Sequence, residues 1–142
     1  MPHERSDALV ALLPHRPPFR FVDTVEAIEA GVSVTATYHV RGDEEFLPGH
    51  FPGNPIVPGV IQLEALAQAG AIALLADERY AGKLPLFGGV EKVRWRRVVR
   101  PGDTLTLQVT LEQLSARGGW GAARASVGDE TACQARLFFA IG

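Results

Sequence analysis

The sequence predicts an α+β fold, a six-stranded antiparallel sheet curled around one long central helix. Three observations lead there. Two stretches rich in β-branched and aromatic residues come first, FRFVDTVEAI at 19–28 and VSVTATYHV at 32–40. A long segment of good helix formers follows, PGVIQLEALAQAGAIALLAD at 58–77, polar only at Gln62, Glu64 and Gln68 before Asp77. The remainder divides into four more strand-like stretches. A helix apolar nearly all round has to be covered on most sides, and a sheet wrapped on it does this.

Taken in order, DALVALL at 7–13 has short helical periodicity and stops at Pro14. The first two strands join through Glu29 to Gly31. In the second, Val32, Val34, Ala36, Tyr38 and Val40 alternate with polar residues, so one face meets a core. Residues 41–57 read as irregular, acidic at first and then crowded with proline and glycine. Pro58 stands where a helix tolerates proline, in its first turn. Asp77 to Lys83 reads as a linker. The last strands are LFGGVEKVRWRRVV (86–99), TLTLQVTLEQL (104–114) after a turn at Pro101–Asp103, GWGAARASVG (119–128) and ACQARLFFAI (132–141). The outer strands of such a sheet need cover, and pairing of edges between two copies would supply it as a two-fold dimer.

Bulk properties narrow the function. The 142 residues fit one domain, 1–142, with 46% hydrophobic and 21% charged residues. A net charge of −2 argues against a general nucleic-acid binder. No apolar run reaches the roughly 18 residues of a membrane span, and the N-terminal stretch lacks a cleavage pattern. A cytoplasmic protein without a membrane partner is expected. Cys133 is the single cysteine, which precludes an internal disulfide and suggests a buried thiol without a role. His3, His15, His39 and His50 have no metal-ligand spacing, and neither nucleotide-loop nor nucleophile-elbow patterns occur, so no metal or cofactor is expected.

The chemistry concentrates in PGHFPGNPIVPGVIQLEALAQAG at 48–70. Glu64 is a lone carboxyl in an otherwise apolar helix. Burial without partners drives a carboxyl toward its neutral form, which suits a general acid. Gln68, one turn on, can hydrogen-bond and orient it. The plainer reading is a structural carboxylate paired with a base such as Arg97. His50 sits in a loop stiffened by Pro52, Pro55 and Pro58, and an imidazole held there suits proton abstraction. Taken alone, a loop histidine is more often a plain structural or surface residue. The helix start at Gly59 and Val60 offers backbone N–H groups without intrahelical acceptors, able to stabilise charge on a carbonyl oxygen. A base, an acid and an oxyanion site fit removal of a proton beside a carbonyl with loss of a β-hydroxyl.

Three pieces carry a resemblance: LPHRPPFRFVD (13–23), GHFPGNPIVPGVIQLEALAQ (49–68) and VRWRRVVRPGDTL (93–105). In order and spacing they resemble the 3-hydroxyacyl-[acyl-carrier-protein] dehydratases of fatty-acid synthesis, which have the hot-dog fold. The resemblance implies His50 and Glu64 as catalytic residues and the Gly59/Val60 amide region as the thioester-carbonyl site. It implies a homodimer in which one copy's histidine works with the other's glutamate, often assembled into a hexamer as a trimer of dimers. The substrate implied is a 3-hydroxyacyl chain on acyl carrier protein, with no cofactor. Glutamate rather than aspartate at 64 favours simple dehydration over dehydration with isomerisation. Arg20 and Val57 depart from the family's usual apolar residue and methionine.

Lys92, Arg94 and Arg96 share one strand face by a period of two, with Val93 and Trp95 predicted to point inward. A basic rim would steer an acidic carrier protein, although a solvated strand face is the plainer reading. Two other functions compete: a hot-dog hydratase or thioesterase acting on coenzyme A thioesters, and a non-catalytic acyl-binding subunit.

Overall fold

The computed structural model describes residues 3–142. Its helices are α1 (His3–Val10), α2 (Leu47–His50) and α3 (Gly59–Leu75), and its strands are β1 (Thr24–Glu29), β2 (Ser33–His39), β3 (Pro85–Trp95), β4 (Thr104–Ser115), β5 (Gly118–Val127) and β6 (Glu130–Ile141). The strands form one antiparallel sheet in the order β1-β2-β4-β5-β6-β3, and α3 packs across it. This is the α+β architecture expected, a sheet wrapped on one long helix. Among the described residues no helix is long and apolar enough to cross a membrane.

The alternation read in the second strand sets its register. Val34, Ala36 and Tyr38 lie opposite Val109, Leu107 and Leu105, and all six are buried on the face toward α3. Val32 departs from the pattern, being exposed ahead of the strand. From Ala65 to Leu75 every residue of α3 is buried. Leu66, Ile72 and Leu74 each contribute roughly 1.5–3 kcal/mol by leaving water. The intervening alanines let the helix lie close to the sheet. At Gly70 an added Cβ would stand 2.5 Å from the Phe139 ring, so the closest approach requires glycine.

Several boundaries differ from expectation for identifiable reasons. The first strand begins at Thr24, not Phe19, because the Phe21 N–H donates to the Gln68 side chain rather than to a neighbouring strand. The segment 77–83 is not a bare linker. Asp77 caps a 3-10 turn at Glu78–Tyr80, and buried Tyr80 donates its hydroxyl proton to Ser115 O at 2.7 Å. Strand β3 ends at Trp95 and carries a bulge between Glu91 and Arg94, where Lys92 takes a left-handed φ of 55°. A bulge re-aims the side chains beyond it. Val93 packs partly into the core as expected, whereas Trp95 turns outward and is half exposed, contrary to the simple period of two.

The two sheet edges are treated differently. At β1, helix α1 lies alongside, and the Val25 N–H donates to the buried Ser6 hydroxyl at 2.8 Å. At β3 the outer edge carries exposed Leu86, Phe87, Val90 and Trp95.

Candidate active site

Glu64 leaves the buried face of α3 within its second turn and enters a cleft of about 170 Å³ lined by Pro14, His15, Gln68, Leu86, Phe87 and Phe139. Its side chain is 20% exposed, so the acid faces a cavity rather than the closed core. Gln68 Nε2 donates to Glu64 Oε2 at 2.9 Å. That amide cannot turn round: its Oε1 accepts from the Phe21 N–H at 2.7 Å, and Nε2 also donates to Phe19 O at 3.1 Å. His15 Nε2 lies 3.5 Å from the same carboxyl oxygen. Arg97, the alternative partner for this acid, is elsewhere, paired with Asp103 at 3.4 Å and Glu130 at 3.8 Å.

His50 closes the short helix α2, a turn within the segment read as irregular. Its Nδ1 is 3.0 Å from Ile56 O. A carbonyl can only accept, so Nδ1 carries the proton and a neutral ring presents its lone pair at Nε2. The loop that supplies Ile56 is fastened at several points. Gly53 takes φ +76°, a left-handed turn open to glycine at no steric cost, and the Asn54 N–H bonds Phe51 O. Arg100 donates to Asn54 Oδ1 at 2.8 Å, and the Val57 N–H donates to Val99 O at 2.8 Å. His50 borders a cleft of about 420 Å³ with Pro58, Gly59, Val60, Gln62, Trp95 and Val98.

At the start of α3, the Ile61 and Gln62 N–H groups bond back to Pro58 O, so Gly59 and Val60 hold the amides without an intrahelical acceptor. They line the His50 cleft. The space beside the Gly59 α-carbon belongs to Trp95, whose indole would be 2.6 Å from an added Cβ and whose Nε1–H donates to Gly59 O at 3.2 Å. Gly59 is therefore needed for the tryptophan, whatever else its amide does. Lys92, Arg94 and Arg96 are all exposed on the β3 end that leads to this cleft, and Arg96 donates to Gln134 Oε1 at 3.2 Å.

Within one copy, the structure thus brings Glu64 and Gln68 together in one cleft and His50, Gly59 and Val60 together in another. It does not join the two groups. Sequence reasoning missed four contributors: His15, Gln62, Trp95 and Arg100. A signal existed for His15, a histidine set against prolines like His50. Nothing local announces Arg100, whose loop partner lies 46 residues away. Other titratable groups stand apart. Burial pushes the Cys133 thiol up to about 11, which leaves it protonated and unreactive. Burial, then the hydrogen bond to Glu44, raises the Tyr38 hydroxyl far above its ordinary value, fastening the chain ahead of α2.

Known proteins of similar sequence converge on one family. The FabA-like domain matches residues 13–136. The 3-hydroxyacyl-[acyl-carrier-protein] dehydratase FabZ of Oenococcus oeni is 56% identical over 130 residues, 92% of this chain and 94% of that protein. The enzyme of the same name from Chloroflexus aggregans is 52% identical over 133 residues, covering 94% of this chain and 92% of its own. In three dimensions the chain is similar to the dehydratase heterocomplex ApeI:P of Xenorhabdus doucetiae, with TM-score 0.79, 22% identity, and coverage of 94% and 90% of the two chains. A thioesterase of Pseudomonas aeruginosa shares the fold at TM-score 0.63 and 18% identity, over 83% of this chain and 79% of that one. A glutamate on a buried helix, a histidine in a proline-stiffened loop and these likenesses all lead to the same placement: the chain belongs to the FabA-like dehydratase family.

Proposed function

We propose that this protein dehydrates (3R)-3-hydroxyacyl-[acyl-carrier-protein] to the trans-2-enoyl thioester, in fatty-acid synthesis in the cytoplasm, at sites shared by two copies of the chain. The observation that carries the shared site is where the two half-sites fall on β3. The Glu64 cleft is lined by Pro85, Leu86 and Phe87 at one end of that strand, and the His50 cleft by Trp95 at the other. Antiparallel pairing of two β3 edges about a two-fold axis near Val90 would set the Trp95 end of one copy beside the Pro85 end of the other. It would also cover the exposed Leu86, Phe87 and Val90. His50 then faces the partner's Glu64, and neither half-site is complete alone.

The chemistry follows from the groups available. The thioester carbonyl accepts from the amides at Gly59 and Val60, which lowers the cost of charge as the C2–H bond breaks. His50 Nε2 takes the C2 proton. The C2–H electrons form the C2–C3 double bond, the C3–O bond breaks, and the departing hydroxyl takes a proton from Glu64 and leaves as water. Ile56 O holds the imidazole in the tautomer the step requires, and Gln68 holds the carboxyl. Each proton-transfer group is typically worth about 10²–10⁴-fold in rate. His50→Ala and Glu64→Gln are each expected to lower kcat on 3-hydroxyacyl carrier substrate by roughly that factor, with the fold retained by circular dichroism. Near-wild-type turnover in either folded variant would overturn the assignment.

A further inference from the structure

His15 has no part in the mechanism above, yet its ring enters the Glu64 cleft with two unusual features. Its Nε2 stands 3.5 Å from Glu64 Oε2, and its Nδ1 is buried with no hydrogen-bond partner among the described residues. The ring is nearly parallel to Phe19, 22° between planes with centroids 6.3 Å apart. Since Phe19 O and the Phe21 N–H both hold Gln68, the same N-terminal segment supplies His15 and anchors the amide that touches Glu64.

The tautomer of a neutral His15 ring follows from elimination. A proton on Nδ1 would be a buried N–H without an acceptor, which folded proteins almost never leave, whereas a bare acceptor is better tolerated. The proton of a neutral ring therefore sits on Nε2, the nitrogen 3.5 Å from the carboxyl. Gln68 Nε2–H points at that same oxygen. Oε2 thus has one hydrogen-bond donor, Gln68, and a second nitrogen, His15 Nε2, at 3.5 Å, while among the described residues no donor reaches Oε1.

We propose that His15 is a positioning residue for the acid: as a neutral Nε2–H imidazole it acts with Gln68 to make Oε2 the fixed acceptor of Glu64, so that the proton delivered to the leaving hydroxyl is carried on Oε1. This deepens the dehydratase reading and rests on it. Hydrogen bonds around a catalytic group are often long without substrate and shorten when it binds, so the 3.5 Å separation suits a contact that closes during turnover. The two histidines then have opposite tautomers, Nδ1–H at His50 to orient a base and Nε2–H at His15 to orient an acid.

Two measurements test this on the intact protein. Nitrogen-15 imidazole spectra of wild type should show His15 neutral with its proton on Nε2 and His50 neutral with its proton on Nδ1. His15 with its proton on Nδ1 would overturn the proposal, independently of any catalytic result. In kinetics, His15→Phe keeps the ring stacking but removes the donor, and should lower kcat roughly 10- to 100-fold, the range for losing one hydrogen bond to a carboxyl that becomes charged as its proton leaves, with KM little changed. His15→Gln, whose amide can reach the same oxygen, should restore most of that loss. Wild-type kcat in folded His15→Phe would overturn the positioning role. Absence of dehydratase activity in wild type itself, with the spectra as expected, would sink the functional reading while leaving the tautomer assignment standing.

Discussion

Gln68 shows how much one side chain can be asked to do. Its oxygen accepts from the Phe21 N–H, and its nitrogen donates to Phe19 O and to Glu64. It therefore ties the N-terminal segment to α3 and fixes the acid in the same gesture. Gln68→Leu would keep the volume roughly but strand the buried Phe21 N–H, which costs about 1–3 kcal/mol. Thermal unfolding should show a lowered Tm, and kcat should fall at the same time because Glu64 loses its donor. An unchanged Tm would mean that the Phe21 N–H finds another partner. Half of this was legible in the sequence. Glu64 and Gln68 are four apart on a helix, so their meeting is local geometry. The other half was not, because Phe21 lies 47 residues from Gln68 and no periodicity encodes that contact. The same limit hid the meeting of His15 with Glu64, 49 positions apart, although the prolines beside His15 gave a local signal.

At the scale of elements, β3 is where pattern and structure part. Alternation would turn Trp95 inward. The bulge at Lys92 instead rotates the strand end and delivers Trp95 to the rim of the His50 cleft, where glycine at 59 makes room for it. A bulge depends on which partner strand is present, here β6, and that is not written in the strand's own residues. The basic residues survive this change of register because Lys92, Arg94 and Arg96 all remain exposed. An acidic carrier approaching the cleft mouth would be attracted to them over about a Debye length, ~10 Å at 0.1 M salt. Reversing charge with Arg94→Glu and Arg96→Glu should raise KM for carrier-linked substrate, increasingly so at low salt, and leave a short coenzyme A thioester unaffected. Equal effects on both substrates would remove the steering role. By contrast α3 was readable almost to the residue, since a long apolar run bounded by Pro58 and Asp77 admits few alternatives.

For the whole molecule, the run of two strands, one buried helix and four strands was visible because each stretch declares its own period. The pairing order was not. β3 follows α3 in the chain yet lies at the far edge beside β6, a result of long-range contacts alone. That displacement matters most for function. It leaves an open edge whose two ends border the cleft that holds Glu64 and the cleft that holds His50, the two halves of the proposed shared site. Subunit complementation tests this shared site most directly. His50→Ala and Glu64→Gln chains, each expected to be nearly inactive alone, are unfolded together, refolded and assayed. A mixed dimer would hold one site with both lesions and one with neither, so random pairing should restore about a quarter of wild-type activity. No recovery in mixtures proven by mass spectrometry to contain mixed dimers would contradict a site built from two chains.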